Sequence, residues 1–102
     1  MRLSDDKLRG KTVIAADGQA IGEIDGLFFD TDGWRIASLH LKIAREMAER
    51  LGTPRSLFHA STVEVPVDMV QSVGDAVVLS VAVADLRQAL AAEIEAEHAR
   101  TH

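Results

Sequence analysis

The chain has no cysteine, no tyrosine, two prolines, one tryptophan and three phenylalanines in 102 residues. Without cysteine there are no disulfides, no thiolate metal sites and no thiol nucleophile, a usage that fits a reducing compartment, so a cytoplasmic location is expected. With aromatics at 4% and apolar residues at 47%, a core must be built from Val, Ile, Leu and Ala. No apolar run approaches the roughly 20 residues of a membrane span, and the charged start "MRLSDDKLRG" lacks the apolar stretch of a secretory signal, so neither span nor leader is expected. A net charge of -5 denies the chain the basic stripe of a general nucleic-acid binder or a polybasic membrane anchor. The length suits one domain spanning 1–102.

What is present is turn chemistry at short intervals. Asp-Gly occurs at Asp17-Gly18, Asp25-Gly26 and Asp32-Gly33. The stretch "KTVIA" predicts a strand running into the first pair, and "QAIGEIDGLFFD" a second strand with apolar residues on both parities. Gly22 and Gly26 share one register, as glycines do at a bulge, a bend or a close backbone approach. After Asp32-Gly33, "WRIASLHLKI" alternates Ala37, Leu39, Leu41 and Ile43 against Ser38, His40 and Lys42, the pattern of a half-buried strand. Ile43, Met47 and Leu51 then recur at helical spacing, with Gly52 and Pro54 to end the helix.

Further on, "SLFHAS" and "TVEVPV" predict two short extended pieces, with Pro66 at an edge or strand end, and "DMVQSVGD" a helical turn closing on Gly74. Val77, Leu79, Val81 and Val83 predict one long strand over 76–83. Asp85, with Gln88 three residues on, is placed to cap a C-terminal helix of about 86–99 carrying the stripe Leu86, Leu90 and Ile94.

Chemical sites are poorly supported. A phosphate loop needs clustered glycines opening a helix, whereas Gly18, Gly22 and Gly26 lie four apart and lead into more strand. Counting a calcium loop from Asp30 puts Arg35 at the sixth position and Leu41 at the twelfth, where glycine and glutamate are needed. His98 and His102 have zinc-compatible spacing without a third ligand, and His40, or His59 near Ser61, lacks a group to orient it as a base. Arg45, Arg50 and Arg55 are interleaved with Glu46 and Glu49, as on a solvated, ion-paired helix face, and Trp34 is expected to cap the mouth of the fold. No catalytic residue, cofactor or metal ligand is assigned.

The stretches "LRGKTVIAADGQAIGEIDGLFFDTDGWRIASLHLKI" and "VEVPVDMVQSVGDAVVLSV" resemble the PRC-barrel family, which includes the cytoplasmic domain of the photosynthetic reaction centre H subunit and the C-terminal domain of the ribosome maturation factor RimM. The resemblance runs from about residue 8 to 83 and implies a mainly β fold: a small antiparallel barrel of five or six strands, with one inserted helix and the C-terminal helix outside it. It implies that Asp17, Gly18, Gly22 and Gly74 determine turns and bends and are not catalytic, and the residue pattern itself reads Gly26 as a bend and Asp32 and Gly33 as a hairpin turn. The expected function is a non-enzymatic interaction or scaffold module that self-associates, as a homodimer, and docks on a larger complex through Met47, Leu51, Leu86, Leu90 and Ile94. Two alternatives stand beside it: an RNA-processing or ribosome-assembly accessory, by family analogy, and a small-ligand or metal binder at the barrel mouth near Trp34 and His40.

Overall fold

The computed structural model describes residues 2–51 and 62–90. A short helix α1 (Asp5–Leu8), capped by the Ser4 side chain, leads into strand β1 (Thr12–Ile14). Strand β2 (Ala20–Asp30) and strand β3 (Arg35–Ile43) form a long hairpin, followed by helix α2 (Arg45–Arg50). Strand β4 (Thr62–Pro66), a 3-10 turn (Val67–Met69), strand β5 (Val70–Val73) and strand β6 (Val77–Leu79) complete the sheet, and a last helix, α3, begins at 83 and is described to 90.

The six strands lie in the order β4-β3-β2-β1-β6-β5. All neighbours are antiparallel except β1 and β6, which run parallel through Val13 and Val77. The expected purely antiparallel sheet is thus corrected to a mixed one. Alternation of apolar residues settles which face of a strand is buried, but not the direction of a neighbour more than sixty residues away in the chain.

Strands β4 and β5 occupy opposite ends of this order, yet only residues 67–69 join them. Four residue steps reach at most about 14 Å. Five strand spacings in a flat sheet would separate those edges by about 24 Å. The sheet must therefore coil round its core. No ladder joins β4 to β5 among the described residues, so the expected closed barrel is replaced by a coiled open sheet.

The interior of that coil is aliphatic. Val13, Ile21, Leu41, Val65, Val77 and Leu79 are fully buried, with Ile24, Leu39, Ile43 and Val63 around them. The segment 68–75 is corrected from a helical turn to the 3-10 turn plus β5, and the long strand expected over 76–83 stops at Leu79. Helix α3 then starts three residues earlier than expected: the Leu86 N–H donates to the Ala82 carbonyl at 3.0 Å, so Asp85 sits inside the first turn and does not cap it.

Of the glycines on β2, Gly22 is the one that sterics require. It faces Ile43 on β3, and a Cβ there would collide with the Lys42 carbonyl oxygen. At Gly26 a Cβ would make only ordinary contact with the His40 Cβ at 3.9 Å, so this glycine marks the register shift between Ile24 and Gly26 without being sterically obligatory. Gly74 has open space around it and no unusual φ, which removes it from the fold-determining set.

Candidate functional site

The apolar stripes expected to face a partner face inward. Ile43, Met47 and Leu51 bring α2 onto the core, and Val83, Leu86 and Leu90 do the same for α3 at a three- and four-residue spacing. Met47, Leu51, Leu86 and Leu90 are therefore core residues of this chain, a correction to their reading as an interaction surface; Ile94 lies outside the described residues. One core, shared with the sheet, takes up the apolar sides of both helices.

The surface that is left uncovered lies elsewhere. β4 pairs with β3 only from Lys42 to Ser38, and β1 pairs with β2 only between Ala20 and Glu23. Beyond Ser38 the β2–β3 hairpin therefore continues as a two-stranded arm, joined by Phe29 opposite Ile36 and Asp30 opposite Arg35. Without a third strand over it, its apolar side chains stay in solvent. Phe28, Phe29, Ile36 and Trp34 are all exposed, Phe29 to 55% and Trp34 to 78%. The 3-10 turn after Pro66 brings exposed Val67 to the same end of the sheet, since Pro66 pairs with Ser38 and Ser38 with Phe28.

At the tip, Asp32 donates its N–H to the Asp30 carboxylate at 2.9 Å, a local turn that leads into Gly33 at φ 94° and Trp34 at φ 56°. A tryptophan in the left-handed region is strained by about 1 kcal/mol or more. Trp34 accepts that strain while remaining in water, so it caps no mouth of the fold, contrary to expectation. Trp34 and His40 also do not form the shared mouth expected of a ligand site. His40 lies inside the strand, with Nδ1 3.4 Å from an Asp25 carboxylate oxygen and its ring edge-on to Phe28 at 5.5 Å. Glu64 stands opposite His40 on β4 and accepts a hydrogen bond from the nearly buried Ser38 hydroxyl. Among the described residues, no three His, Asp or Glu side chains converge on a metal position, and no helix is long and apolar enough to cross a membrane.

The opposite end carries a cleft of about 510 Å³ between the β1–β2 turn, α2 and α3, lined by Asp17, Gln19, Arg50, Arg87 and Gln88 among others. Asp17 holds it together. Its carboxylate accepts from the Gln19 side-chain amide at 2.8 Å, the Gln19 N–H at 3.4 Å and the Val83 N–H at 3.5 Å, so a turn residue caps the first turn of α3 across the fold. Desolvation pushes this carboxyl upward, but those hydrogen bonds outweigh it and hold Asp17 below its ordinary value. The Arg50 guanidinium donates to the Gln19 side-chain amide oxygen, tying α2 to the same turn. The positive end of α3 is thus already satisfied by a carboxylate.

The aromatic arm escaped the reading of the sequence although a signal was there. Three of the four aromatic residues fall within Phe28–Trp34, on both parities of a strand, and an apolar residue on each parity needs cover on two sides. Strand lengths decide whether that cover exists. No curated protein matches the chain. A family model does: the PRC-barrel domain matches residues 2–86, from α1 through the coiled sheet to the first turn of α3, and the chain belongs to the PRC-barrel family.

Proposed function

We propose that this PRC-barrel protein is a non-enzymatic interaction module that docks onto a protein partner through the aromatic arm of the β2–β3 hairpin. One observation carries the reading: Phe28, Phe29, Trp34 and Ile36 are all left in solvent on the two faces and tip of the arm, with Val67 at the same end of the sheet, on an otherwise well-covered fold. Exposed tryptophan and phenylalanine at a strained hairpin tip are the residue types that dominate binding energy at protein interfaces. The self-association expected from the helix stripes loses its original support, because those stripes are internal. The nucleic-acid alternative gains none, since the arm is bordered by carboxylates.

The test is capture from the native cell with wild-type bait and with a Phe29→Ala/Trp34→Ala bait of equal melting temperature. Partners retained by the first and lost by the second are the expected result. Identical retention by both would remove the arm from the function. Light scattering at high micromolar concentration tests self-association separately, a monomer being the result that ends it.

A further inference from the structure

Resting on that docking reading, we infer that the arm takes an arginine- or lysine-bearing segment of its partner. The inference comes from the charges that surround the aromatic surface. Asp30 and Asp32 form its tip, Asp25 and Glu64 stand on either side of His40 behind Phe28, and Asp68 follows Val67 in the 3-10 turn. All five carboxylates are exposed; Arg35 stands opposite Asp30 at the tip, and Lys42 lies two residues beyond His40 on the same strand.

A surface of this composition selects its occupant. A guanidinium or ammonium group can stack on the Trp34 or Phe29 ring and pair with a neighbouring carboxylate, so one side chain uses both features of the arm. A second copy docked tip to tip would set Asp30 and Asp32 against their own copies, with Arg35 to offset them, and two chains of net charge -5 also repel at long range. Anionic lipid and nucleic acid meet the same repulsion. A wholly apolar partner would leave the acidic rim desolvated and unpaired. Arg50 and Arg87, by contrast, line the cleft beside Asp17, away from the arm.

The sole tryptophan is a built-in reporter, so the test is titration of the full chain with peptides of about ten residues, alternating Arg-Ala, Lys-Ala or Glu-Ala. Saturable change in Trp34 emission with the arginine peptide, weaker change with lysine, and none with glutamate are expected, the affinity falling as salt is added. By calorimetry, Trp34→Ala should weaken the arginine peptide about tenfold. An Asp30→Asn/Asp32→Asn variant should weaken it and flatten the salt dependence. Equal binding of the glutamate peptide, unchanged binding by both variants, or no binding of the arginine peptide would overturn the inference. So would a Trp34-dependent dimer in light scattering, or Trp34-dependent binding to phosphatidylcholine or phosphatidylglycerol vesicles. If wild-type bait still captures partners that the Phe29→Ala/Trp34→Ala bait loses while the arginine peptide fails, the docking reading stands and the cationic partner alone falls.

Discussion

The turns at Asp17-Gly18 and Asp32-Gly33 share a dipeptide and a left-handed glycine, at φ 87° and 94°, and do opposite things. At the first, the exposed carboxylate is held by the fold, accepting from Gln19 and from the start of α3, while the Ala16 N–H bonds the Val81 carbonyl at 2.9 Å. At the second, the Asp30 carboxylate satisfies only the Asp32 N–H, and the chain beyond presents Trp34 to solvent. The difference follows from what stands next to each turn. β1–β2 has α3 beside it; β2–β3 outruns β4 and β1 and, among the described residues, has no third strand over it. One end of β2 is used for folding and the other is left available.

The most damaging change should lie between the two ends. Gly22→Val drives a side chain into the backbone of β3 and should cost about 4 kcal/mol in urea unfolding, enough to threaten the fold. Gly26→Val, with room beside His40, should cost less than about 1 kcal/mol, and equal losses would mean that the close approach at Gly22 is not real. Next, Leu86→Ala removes the side chain that seats α3 on the core and should cost about 3 kcal/mol with no effect on Trp34 emission.

A smaller effect separates the turns directly. Because Asp17 titrates lower in the folded chain than in the unfolded one, its contribution is complete above the unfolded value of about 3.9 and fades as pH falls through the lower folded value. Asp17→Asn should thus lower the melting temperature at neutral pH and lose less stability than wild type on acidification, whereas Asp32→Asn, which removes no hydrogen bond across the fold, should leave the neutral melting temperature unchanged. Equal losses at neutral pH would erase the distinction. The smallest effect belongs to Trp34→Gly, which relieves the left-handed strain and exposes no core; stability should hold or rise by about 0.5–1 kcal/mol, and a loss above about 1 kcal/mol would show that Trp34 is packed.

Much of the fold could be read from residue order. β-Branched and turn residues placed β1 and β2, alternation placed β3 and the apolar face of β6, and the resemblance to the PRC-barrel family holds. Sheet order, the parallel β1–β6 pair and the coiling could not, because they depend on which strand ends meet after long excursions of the chain. The same limit applies to the surface. A stripe such as Leu86-Leu90 shows that a helix side must be covered but not by what, and here the sheet of the same chain covers it. Exposure of Phe28 and Phe29 was invisible for the converse reason: it is set by the lengths of β1 and β4, not by the residues of β2.

The most direct measurement uses the single tryptophan of dilute wild-type protein. If the arm is open, Trp34 emission in the native state should peak close to that of the urea-unfolded chain and be quenched by acrylamide nearly as efficiently. A blue-shifted, poorly quenched native emission would mean that the arm is already covered, and the assignment of this end of the molecule to a partner would be wrong.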